Sequence, residues 1–121
     1  MIVAAHAILY ADDPDTARAF FRDVLDMRNV DAHGGWLIFK LPPSELGVHP
    51  AGETSPSGHH ELFLLCDDID LTVADLSGKG VDFTGPVQET RFGRLVRMRV
   101  PGAGDVGLYQ PSHPTAYDLD A

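Results

Sequence analysis

At 121 residues with 44% hydrophobic side chains, the chain has the size of one domain and enough apolar material for one core. Eighteen acidic residues against nine basic ones give a net charge of −9, which repels phosphate backbones and anionic membrane surfaces and excludes both as expected partners. The single cysteine, Cys66, rules out an internal disulfide or a cysteine-built zinc site, no run reaches the roughly 18 apolar residues of a membrane span, and no basic segment precedes the short apolar start, so a cytoplasmic protein is expected.

The first predicted element is a strand over residues 2–11, with His6, Ile8 and Tyr10 on one face and Ala7 and Leu9 on the other. It stops at Asp12-Asp13-Pro14. Asp13 is a good N-cap, Pro14 suits the first helical position, and Ala17, Phe20, Phe21, Val24 and Leu25 recur at helical spacing, which predicts a helix over 14–25. Three short strands follow, around 27–30, at 36–41 after the Gly34-Gly35 turn, and at 46–49 before Pro50. Residues 51–58, rich in Gly, Ser, Pro and Thr, read as a linker.

The pattern then restarts. Glu61 to Cys66 is an apolar strand, Asp68 caps a helix carrying Ile69, Val73 and Leu76 that stops at Gly80, and strands fit 81–84, 94–100 and 106–109. The caps Asp13 and Asp68 stand 55 residues apart, and Val106-Gly107-Leu108-Tyr109 echoes Leu46-Gly47-Val48-His49 at an offset of 60. A repeat of this size means two similar modules, about 1–50 and 59–111, followed by a polar tail, 112–121, that is expected to be loosely held unless it docks on a partner. A lone βαβββ unit leaves one sheet face uncovered, so two modules must pair their faces, within one chain or between two. The expected fold is α+β, two paired βαβββ modules around a barrel-like cavity with helices outside.

The run His6-Ala7-Ile8-Leu9-Tyr10-Ala11-Asp12-Asp13-Pro14 with Ala19-Phe20-Phe21-Arg22-Asp23-Val24-Leu25 resembles the opening of a vicinal oxygen chelate module. Cys66-Asp67-Asp68-Ile69, Lys79-Gly80-Val81-Asp82-Phe83 and Gly107-Leu108-Tyr109-Gln110-Pro111 resemble the second module. This superfamily includes glyoxalase I, extradiol dioxygenases and bleomycin-resistance proteins. The resemblance implies paired βαβββ modules, usually a homodimer, and in the enzymes a divalent metal held from the first and last strands of both modules. It does not by itself imply a reaction. His6 matches a metal-ligand position, and its counterpart is Glu61, where histidine is more usual. The last-strand positions fall on Gly47 and Gly107, which offer no side chain, so neither the glyoxalase nor the dioxygenase ligand set is present as it stands.

Strand alternation puts His49 on the face of Gly47, so His6, His49 and Glu61 form a candidate metal set for Fe, Mn, Ni or Zn, with His59 in reserve. Without metal, His6 and Glu61 are candidates for a general base and its orienter. Glu61 among Phe63 and Leu65 would be costly unless paired, protonated or metal-bound, which marks it as a site residue. Tyr10, Trp36, Phe39, Phe63, Phe92 and Tyr109 are candidates to line a pocket for a small organic ligand, with Arg94 or Arg97 for an anionic group; core packing is the competing account for each aromatic. Two functions follow. One is a metal-dependent lyase or dioxygenase with a non-standard ligand set; the other is a metal-free binder of an antibiotic or aromatic metabolite.

Overall fold

The computed structural model describes residues 6–48 and 50–119. The element order is α1 (Pro14–Ala19, continued by a π-helical turn Phe20–Val24), β1 (Asn29–Asp31), β2 (Leu37–Phe39), β3 (Phe63–Leu65), α2 (Ile69–Gly78), β4 (Gln88–Glu89), β5 (Gly93–Val100) and β6 (Gly104–Pro111). Strands β1 and β2 make an antiparallel hairpin; the other four form one sheet in the order β3-β6-β5-β4.

Both predicted caps are used. The Asp13 carboxylate accepts from Thr16 N at 3.1 Å and the Asp68 carboxylate from Leu71 N at 3.1 Å, each satisfying an amide that the first helical turn leaves without a partner. The side chain of Gln110 accepts a second such amide, Ile69 N, at 2.8 Å, which fastens α2 to β6.

The second half builds the sheet. β5 and β6 pair along their whole length, from Gly93↔Pro111 to Val100↔Gly104, and β3 lies parallel to β6 with Phe63 opposite Gly107. Val96, Met98, Val100, Val106 and Leu108 alternate onto one face and bury there against Ala17 and Phe20 of the first helix and Ile69 and Leu76 of α2. The two helices therefore share one sheet face. The β5–β6 turn holds α1 in place: Asp13 N donates to Gly102 O at 2.9 Å, and at Gly102 (φ +82) a Cβ would crowd the Asp13 backbone.

The first half departs from expectation. The predicted strand over 2–11 forms no ladder across its described residues 6–11, and 46–48 likewise has no ladder partner among the described residues, with Leu46 and Val48 each 89% exposed. In the second half the corresponding segments, β3 and β6, pair with each other, and β5 holds β6 from the other side. In the first half Pro42, Pro43 and Pro50 remove amide donors around 46–48, and Gly47 weakens its centre. The strand predicted at 81–84 shrinks to one bridge, Phe83↔Met98, and β4 is an element the hydropathy pattern did not signal.

Candidate functional site

The sheet face turned away from the helices carries Leu95, Arg97 and Arg99 on β5, Asp105, Gly107 and Tyr109 on β6, and Phe63 and Leu65 on β3, with Glu61 just before β3. It is polar at the Glu61 end and aromatic at the Tyr109 end. The Phe63 ring lies directly over Gly107, so that a Cβ built at Gly107 would overlap it, and this explains why a glycine is buried in mid-strand. The Phe63 and Tyr109 centroids are 6.1 Å apart, and the Arg97 guanidinium carbon is 5.8 Å from the Phe63 centroid. Tyr109 is fixed from its far end, its hydroxyl donating to Phe92 O at 2.7 Å; burial, with Glu45 adding, pushes that phenol above its ordinary pKa.

Glu61 has two basic side chains as neighbours. Arg97 Nη2 is 3.6 Å and His59 Nε2 3.5 Å from its Oε1, both beyond good hydrogen-bond length. The expectation of a carboxylate costly among apolar neighbours is not met, because Glu61 is exposed to solvent as well as close to Arg97 and to the reserve residue His59. His6 is exposed, and among the described residues no group of three His, Cys, Asp or Glu side chains comes close enough to hold a metal ion. His49 lies outside the described residues. The residues on this face do not fit the four-ligand metal set of the superfamily: the Gly107 position is filled by an aromatic ring and the Glu61 carboxylate faces an arginine.

Arg94 does not face this surface. It shares strand parity with Val96 and Met98, and its guanidinium is consumed by Asp70 at 2.8 and 3.1 Å and Glu89 at 2.8 Å, tying β5 to α2 and β4. These bonds hold Asp70 below the usual carboxylate range and Arg94 above its own. Arg97, like Arg99, lies on the open face, and the alternation of Val96, Met98 and Val100 was the sequence signal that distinguishes it from Arg94.

The other aromatic candidates are dispersed. Phe92 lies beside Tyr109 through that carbonyl contact. Phe39 packs on Phe21 of the first helix at 5.7 Å, Trp36 stands under the Arg18 guanidinium at 4.7 Å, and Tyr10 is 85% exposed. Two residues not singled out from sequence join the aromatic end. His113 sets its ring 5.8 Å from Tyr109, and Glu45 accepts from Ala116 N and Tyr117 N at 2.9 and 3.2 Å. The tail, expected to be loose unless it docks on a partner, is held on its own chain through Ser112, His113, Ala116 and Tyr117. Cys66 packs behind the face, against Ile69 and Leu108, and burial pushes its thiol up, away from nucleophile chemistry.

A depression of about 260 Å³ beside the open face is bordered by Thr84, Gly85, Pro86, Gln88, Leu95 and Arg97. A larger groove of about 470 Å³, between Phe20, Val24, Val81 and Val100, contains none of the sequence-selected residues.

Among curated proteins no relative matches. Of solved structures, TnmS3, an antibiotic binding protein from Streptomyces sp. CB03234, is 27% identical, with 93% of this chain and 100% of that one covered and a TM-score of 0.60. A lactoylglutathione lyase from Agrobacterium tumefaciens is 22% identical over 89% of this chain and 92% of its own (TM-score 0.64). A superfamily member from Sphaerobacter thermophilus is 20% identical over 90% and 98% (TM-score 0.62). These likenesses agree with the α+β architecture, two helices and two sheets, described above. The family profile for the glyoxalase/bleomycin resistance protein/dioxygenase superfamily matches residues 3–109, nearly the whole chain, and the chain belongs to that superfamily.

Proposed function

We propose that this protein is a metal-free binder of a small organic compound, received as a flat ring on the open face of the four-stranded sheet. The observation that carries the reading is the Phe63 ring over Gly107, next to Tyr109: an aromatic floor stands where a ligand-bearing glutamate would be needed for metal chemistry. Flat apolar surface with a few polar groups at one end is what a small aromatic molecule requires. The similarity to an antibiotic binding protein across 93% of the chain supports the same assignment.

The superfamily's metal-dependent lyase or dioxygenase activity is the second reading. What favours it is the His59–Glu61 pair, an imidazole and a carboxylate on one face to which His6 or His49 would have to be added. Elemental analysis after loading with Fe, Mn, Ni and Zn, on wild type and Glu61→Ala, separates the two. Near-stoichiometric metal that disappears in the variant overturns the metal-free reading. No retained metal, with calorimetric binding of aromatic compounds that weakens in Phe63→Ala, supports it.

The same reading includes a homodimer. Ile8, Tyr10, Leu46 and Val48 are 67–89% exposed, and the segments that bear them have no ladder partner among the described residues, so a second copy is the natural source of both cover and backbone pairing.

A further inference from the structure

We infer that the compound held on the open face is an aromatic anion, a planar ring bearing a carboxylate or an acidic phenol, and that Arg97 receives its charge. This rests on the open face being the binding site and names the chemistry it selects.

The inference comes from comparing the three arginines on β5: Arg94 points to the helix side, while Arg97 and Arg99 share the open face, Arg99 exposed opposite Asp105 and Arg97 beside Phe63. Arg94 has its guanidinium satisfied by three hydrogen bonds at 2.8–3.1 Å, and it is structural. Arg97 is half-exposed, and among the described residues its guanidinium makes no hydrogen bond; its one carboxylate neighbour, Glu61, stands 3.6 Å away. It lies over the edge of the aromatic floor, 5.8 Å from the Phe63 centroid, and borders the depression that also holds Gln88 and Thr84. A cation with unspent planar donors, beside an aromatic shelf, matches a ring whose charged group projects from one edge.

A cationic ligand is the rival, since Glu61 and Asp105 belong to the same end. Glu61, however, already faces the Arg97 guanidinium, so a cation arriving there would have to displace positive charge, whereas an anion at Arg97 completes an unfilled donor set. The net charge of −9 opposes the approach of an anion, but screening over about 8 Å at physiological ionic strength leaves the contact geometry to decide.

The test uses three probes that share one ring: 2-naphthoate, 2-naphthalenemethanol and 2-naphthylmethylammonium, titrated into the ¹⁵N-labelled full-length protein at 0.15 M salt and followed by amide shifts. The expected result is naphthoate binding tighter than the alcohol by about 10- to 100-fold, the range of a charge-assisted hydrogen bond, with the amides of Phe63, Arg97 and Gly107 moving. In Arg97→Gln the acid falls to the level of the alcohol, in Arg97→Lys it keeps part of its advantage, and in Glu61→Gln it binds tighter because the competing carboxylate is gone. If the alcohol or the ammonium binds this face as tightly as the acid, or the acid is indifferent to both Arg97→Gln and Glu61→Gln, the anion inference is overturned while the binding function stands. If none of the three moves these amides, both are overturned.

Discussion

A glycine in the middle of a buried strand normally costs stability, yet Gly107 is enclosed because the Phe63 ring occupies the space its side chain would take. The two positions are complementary, and this has a measurable consequence. Gly107→Ala forces the ring aside and is expected to destabilise the protein by about 1–3 kcal/mol, as overpacking does. Phe63→Leu in the same chain should recover much of that loss; a double variant no more stable than Gly107→Ala in urea denaturation would show that the two side chains are not in competition. Arg94 makes a second prediction. Its bonds depress the Asp70 pKa below the ordinary 3.8, so this stabilisation is fully present above pH 3.8 and is lost as pH falls through the lower, folded-state value. Asp70→Asn should therefore lower Tm at pH 7, with the difference from wild type closing below pH 4; an equal deficit at pH 3 and 7 would assign the effect to packing. The pocket list drawn from sequence included Arg94 and left Arg97 as its alternative because charge type was legible and facing was not. The parity of Val96, Met98 and Val100 held the answer, but only once the strand's register was fixed by its pairing with β6.

At the level of elements, what could be read directly was what is local. Caps, helix stripes and the Gly80 stop are decided by residues within a few positions of each other, and both helices form within a residue or two of where they were expected. Strands are decided by partners far along the chain. β5 and β6 are strong because each has the other, whereas 6–11 and 46–48 have comparable apolar alternation and no ladder among the described residues. The energetic weight accordingly lies in the second half. Met98, wholly buried between the two helices and the sheet, should cost about 2–5 kcal/mol when cut to Ala, and removing the Asp68 cap about 1 kcal/mol. Guanidinium unfolding of the two variants checks this ordering, and a cap variant worse than Met98→Ala would reverse it.

For the molecule as a whole, the division of labour between halves bears on assembly. The first helix packs on the second-half sheet, so the core is shared, but the first-half strands β1 and β2 make only a hairpin beside it, with Val30 and Trp36 more than 60% exposed. The repeat in the sequence foretold that two modules would need to cover each other's open faces, and it left unresolved whether they do so in one chain or two. Two Gly-bearing segments of like sequence behave differently here: Gly104–Pro111 is a strand and 46–48 is not, because among the described residues only the former has ladder neighbours. If a second copy supplies the missing neighbours, light scattering should give twice the mass of one chain, and amide exchange across 6–11 and 46–48 should slow as concentration rises. Leu46→Asp combined with Val48→Asp places two charges where that cover would sit, and is expected to give a folded monomer that has lost this protection yet keeps the α2 and β5–β6 amides slow. A wild type of single-chain mass, or a charged variant that remains a dimer, would move the interface elsewhere and leave the exposed strand segments as a surface for some other partner.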